Sequence, residues 1–114
     1  MADSYRVKIR NGPKVENERF EDLDAAIAAI ESRGRELAGS SRRDVAGGGL
    51  MRRIEPVQQV TARIQLAGPG GLRAGVDVRG DGSAEAWTGW LRRQVVEQQA
   101  GESPYDALKR VATA

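Results

Sequence analysis

The sequence predicts an α+β domain: an antiparallel sheet of about five strands with two to three helices packed on one face. Three observations carry this. Residues 60–90 alternate apolar and polar side chains through three runs separated by two glycine-rich turns. Residues 5–10 alternate in the same way before the turn signal Asn11-Gly12-Pro13. Between them, Phe20 to Leu37 changes to a helical period. A period of two places successive side chains on opposite sheet faces, whereas a period near 3.6 draws one stripe along a helix.

In the first strand Tyr5, Val7 and Ile9 alternate with Arg6, Lys8 and Arg10. Asn11 and Gly12 tolerate positive φ and the Pro13 ring presets φ after them, so the chain turns there. Lys14 to Arg19 returns as a short, polar hairpin edge, whose charges discourage pairing with another chain. The helix comes next. Asp22 or Glu21 serves as N-cap, and Glu21, Asp22 and Asp24 crowd the positive end of the helix dipole. Leu23, Ala26, Ile27 and Ile30 form one apolar stripe. Gly34 is either the residue after the helix or a weak point in one reaching Leu37.

Ala38 to Leu50 has no period and is rich in Gly and Ser, which reads as a mobile linker. The chain thus divides into a β-β-α unit over 4–38, a linker over 39–51, and a β-meander with a C-terminal helix over 52–114, all within one domain. In the meander, Val60, Ala62, Ile64 and Leu66 are followed by Leu72, Ala74, Val76 and Val78, and then by Ala84 to Trp90. Residues 90–99 suit either a strand or a helix, with propensity slightly favouring helix and Val95-Val96 arguing for strand. Ser103-Pro104-Tyr105-Asp106 opens a final helix, with Ser as N-cap and Pro in the first turn.

The chain has 114 residues, 30% of them charged, and contains no His and no Cys. The missing types remove the usual zinc ligands, the commonest general base and the commonest soft nucleophile. An enzyme built here would rely on carboxylates, Tyr, Lys or Ser. No cofactor is expected. No apolar run approaches the roughly 18 residues that span a bilayer, and no export signal is legible, so a cytoplasmic location away from membranes is expected.

Several short motifs reduce to turn chemistry. Arg79-Gly80-Asp81 sits in Gly80-Asp81-Gly82-Ser83, where Gly supplies positive φ and Asp and Ser bond locally. Asp77, Asp81 and Glu85 lack the spacing of a calcium loop. Neither glycine cluster, 47–49 or 68–71, continues as a phosphate loop.

Fifteen of the 18 basic residues are Arg. Residues 33–79 hold nine bases against four acids, which places any anionic partner against the middle of the chain. The candidates are the pairs Arg42-Arg43, Arg52-Arg53 and Arg92-Arg93, with Arg63, Arg73 and Arg79 on one phase of adjacent strands. Trp87 and Trp90 point to opposite faces if both lie in a strand, leaving one for core and one for a partner. Phe20-x-x-Leu23-x-x-Ala26 after a basic hairpin resembles the small arm-type DNA-binding domains of phage-like integrases. The resemblance covers about thirty residues. Those domains place a third strand before the helix, which is missing here, and none of their functional residues is carried over.

The first expectation for function is a non-enzymatic interaction or scaffold domain acting as a homodimer. The alternative is a nucleic-acid-binding module using the Arg-rich face of the meander. Whether that face is open or covered decides between them.

Overall fold

A computed structural model describes residues 4–47, 59–89 and 91–113, with the side chains of 41–47 left aside. Six strands form one antiparallel sheet: β1 (Tyr5–Asn11), β2 (Lys14–Phe20), β3 (Val60–Gly68), β4 (Leu72–Arg79), β5 (Ala84–Thr88) and β6 (Gln94–Val95). Their spatial order is β2-β1-β3-β4-β5-β6. The helices α1 (Leu23–Gly47) and α2 (Pro104–Ala112) pack on one side of it. The α+β class and the antiparallel sheet hold, with six strands rather than about five and two α-helices among the described residues. No helix among the described residues is long and apolar enough to cross a membrane.

Strand alternation explains the two-sided sheet. Val7 lies opposite Leu66 and Ile9 opposite Ile64. Across the next pair, Ile64 lies opposite Val76 and Leu66 opposite Ala74. All six are buried, and they meet Ala26, Ile27, Ile30 and Leu37 of α1 and Leu108 of α2. The polar residues between them therefore face the other way.

The first helix corrects two expectations. Asp22 is its N-cap, the carboxylate accepting from the Ala25 N–H at 2.7 Å. The helix then runs ten residues past Leu37, through the Gly-Ser stretch read as linker. Leu37 and Ala38 continue the line of Ile30 onto the sheet and are buried, which carries the helix into that stretch. Burial of that kind outweighs the ~1 kcal/mol that a helical glycine such as Gly39 costs. The remainder of the linker, 48–51, and residues 52–58 after it lie outside the described residues. Gly34 is neither a terminus nor a defect. A Cβ there would stand 2.1 Å from the Tyr105 hydroxyl, so its lack of a side chain lets α2 close on α1.

The open choice at 90–99 resolves as neither in full: among its described residues Gln94 and Val95 form a two-residue strand and the rest are irregular. Gln94 and Val95 pair with Thr88 and Trp87, and the Val96 N–H donates to the Ala86 carbonyl. Two β-branched residues beside an open edge explain why helix propensity loses.

The second helix is as the sequence predicts. Ser103 and Asp106 form a reciprocal capping box with Pro104 in the first turn. Tyr105, Ala107 and Leu108 are buried. Burial pushes the Tyr105 phenol above its ordinary value, opposed by Arg35, whose guanidinium lies 5.3 Å from the ring centre. A folded value above the unfolded one means that the unfolded chain gives up this proton first. The contribution is therefore complete below about pH 10 and is lost as pH rises through the phenol range. Urea midpoints measured across that range fall for the natural chain, and Tyr105→Phe flattens the fall.

Candidate functional site

Neither helix packs on the second face of the sheet. Cross-strand register sorts its side chains into rows. Arg19 faces Arg6, followed by Ala67 and Arg73. Asn17 faces Lys8, followed by Gln65, Gly75 and Trp87. Val15 faces Arg10, followed by Arg63, Asp77 and Glu85.

The two halves of this face differ in electrostatics. Toward β5 the cations are matched. Arg63 donates twice to Asp77, at 2.8 and 3.1 Å, and this carboxylate raises the guanidinium's pKa above its ordinary value. Arg79 donates to Glu85 at 2.9 Å. Asp77 is 7% exposed and also accepts the Trp87 indole N–H at 3.0 Å. Toward β2 no such matching occurs. Arg6 and Arg19 stand directly opposite one another. Among the described residues, Arg6, Lys8, Arg10 and Arg19 have no ion-pair partner.

These four, with Asn17, Gln65 and Arg73, line an open trough of about 770 Å³. Glu18 borders it from the edge strand, but by register it belongs with Val7 on the helix-covered face. Glu16 also lies on that face and pairs with Arg33 of α1. The hairpin thus sends both its acids to one side and all of its bases except Lys14 to the other.

The candidates named from sequence fall into separate groups. Arg63, Arg73 and Arg79 all lie on the open face, but Arg63 and Arg79 are neutralised by acids beside them. Trp87 belongs to the same face yet is 3% exposed. Its ring lies over Gly75, where a Cβ would meet it at 2.4 Å, and the Arg93 guanidinium sits 5.2 Å from the ring centre. It is a packed residue, not a presented stacking platform. Arg92 and Arg93 are exposed just before β6. Arg42 and Arg43 belong to α1, and their side chains lie outside the described ones. Arg52, Arg53 and Trp90 lie outside the described residues.

Sequence reasoning missed Arg6, Lys8, Arg10 and Arg19 as site residues. Their alternation was visible, but only the pairing of β1 with β3 sets them beside Gln65 and Arg73.

The three acids around the meander turn have other work. Asp77 holds Arg63 and Trp87, Glu85 holds Arg79, and Asp81 accepts from the Ser83 N–H and hydroxyl. Those Ser83 bonds hold the Asp81 carboxyl below its usual range. Among the described residues no group of three ligating side chains could hold a metal ion. Comparison with known proteins adds no assignment: no family model, curated protein or solved structure matches the chain.

Proposed function

We propose that this protein is a non-enzymatic binding module that takes nucleic acid on the open basic half of its sheet. The observation that carries this is the contrast within one face. Arg63 and Arg79 each sit on an acid, whereas Arg6 faces Arg19 with no acid between them. Like charges directly opposite destabilise a sheet. Such an arrangement weakens the fold and neutralises nothing inside it, which suits an external polyanion.

Anisotropy titrations with labelled oligonucleotides test the reading. Four basic side chains that each displace a counterion give a slope of log K against log salt of about −3. Arg6→Gln/Arg19→Gln weakens binding and lowers that slope by about half. The same double variant folds at least as stably as the natural chain, with a gain of roughly 0.5 kcal/mol from relief of the like-charge pair. Loss of stability together with loss of binding would instead assign the pair a structural role.

Self-association is the second reading. It does not suit the β2 edge. A two-fold antiparallel pairing of β2 with a second copy over its whole length, centred on Asn17, sets Glu16 against Glu18 twice. The opposite edge suits it better, since Leu91 is fully exposed and Val95 is 58% exposed. Light scattering of the natural chain and of Leu91→Asp measures it: a dimer that dissociates on substitution supports this reading.

A further inference from the structure

The geometry points to a base-reading centre for a single strand: the carboxamides of Asn17 and Gln65, either side of Lys8, address the base edges of unpaired nucleic acid whose phosphates the surrounding cations hold. The inference rests on the nucleic-acid reading above and goes beyond it in naming the form of ligand and the residues that select it.

Asn17, Lys8 and Gln65 share one cross-strand row. Side chains on one face of a strand recur about every 6.8 Å, so the neighbouring rows lie that far to either side. One of them presents Arg19 and Arg6, the other Arg10 beside Arg63, whose charge Asp77 already matches. Two neutral amides therefore occupy the middle of a cationic frame. Asn17 is exposed and Gln65 half-buried. Among the described residues neither carboxamide has a hydrogen-bond partner.

Chemistry separates the two groups. Guanidinium and ammonium groups only donate, which matches phosphate oxygens but carries no sequence information. A carboxamide donates and accepts side by side, and this pattern is complementary to the adjacent N6 amine and N7 of adenine. No exposed aromatic ring stands among the described residues of the face, since Trp87 is packed away, so discrimination falls to hydrogen bonding.

Width selects the form of nucleic acid. From β2 to β4 the basic half spans three inter-strand steps, about 14 Å between outer backbones, and β5 continues beyond it. The major groove is about 12 Å wide and takes a two-stranded ribbon. A four-strand surface is too broad to enter, whereas a single strand can lie along it with bases turned toward the sheet.

The test uses the full chain with short labelled oligo-dA, oligo-dT and oligo-dC, and a mixed-sequence duplex of the same length. Titrations compare the natural protein with Asn17→Ala/Gln65→Ala, after circular dichroism has shown that both fold. The expected result is tighter binding of single strands than of duplex, and a preference for oligo-dA of about fivefold or more. The double variant then binds all three homopolymers alike, with an unchanged salt slope. Tighter duplex binding, equal affinity for the homopolymers, or an adenine preference that survives the double substitution overturns the inference and leaves the nucleic-acid reading standing. Absence of salt-dependent binding to every probe removes both.

Discussion

Gly75→Ala lowers the thermal midpoint by roughly 10–20 °C, corresponding to about 3 kcal/mol for a domain of this size. A methyl group at this position would stand 2.3 Å from the Ile64 carbonyl oxygen and 2.4 Å from Cζ2 of Trp87. The carbonyl belongs to the backbone of β3, which pairs with β4, and cannot retreat without opening the sheet at its centre. The indole cannot lift freely either, because its N–H is held by Asp77 and Arg93 lies over it. Both neighbours are fixed, so the added carbon forces the strands apart. Calorimetry measures the effect. Trp87→Ala introduced into the Gly75→Ala background costs less than it does alone, because the two changes relieve one another. A drop of less than about 4 °C would mean that the indole slides aside at little cost.

Asp77→Ala destabilises by about 2–4 kcal/mol and at the same time tightens binding of polyanions. The carboxylate accepts three hydrogen bonds, two from Arg63 and one from Trp87. Removing it strands a buried indole N–H, at a cost of about 1–3 kcal/mol. It also leaves a guanidinium without its counter-charge. Arg63 is 31% exposed, so water recovers part of that loss, and the full penalty of a buried broken pair does not apply. Asp77→Asn keeps an acceptor for the indole and falls between the two. The opposite sign on binding comes from charge: Arg63 joins the cationic field of Arg10 beside it. Urea unfolding reads the first effect and anisotropy at fixed salt the second. A variant that loses stability and binding together contradicts the assignment of Asp77 as a neutralising group.

The first five strands, the N-cap of the second helix and the turn at 80–83 were legible because they are local. Period-two alternation needs no partner, and Ser103 caps Asp106 within one turn of chain. The working surface was not legible, because it is made by pairing at a distance. Segment charge pointed to residues 33–79, and the trough is built mostly from 6–19. A segment count adds Arg19 to Glu18 and obtains nothing, whereas the strand sends them to opposite faces. Within the favoured segment, Arg63 and Arg79 proved to be spoken for by Asp77 and Glu85, a cancellation visible only in the register of β3, β4 and β5. Gly34 and Gly75 misled or were silent for a related reason. The rings that need their missing side chains, Tyr105 and Trp87, come from elsewhere in the sequence. The burial of Leu37 and Ala38 belongs with these, since it carries α1 past the point where local composition turns to Gly and Ser.

The pairing of β1 with β3 has a kinetic consequence. Asn11 meets Ala62 across some fifty intervening residues, and closing so long a segment delays productive contact during folding. Each row of the basic face crosses that seam, with Lys8 on one side and Gln65 on the other. A chain that has formed only its N-terminal hairpin, or only its meander, carries half of the surface. Competence to bind thus arrives with the slow seam itself, and a ligand spanning both sides holds it shut, favouring the finished fold over every partial one.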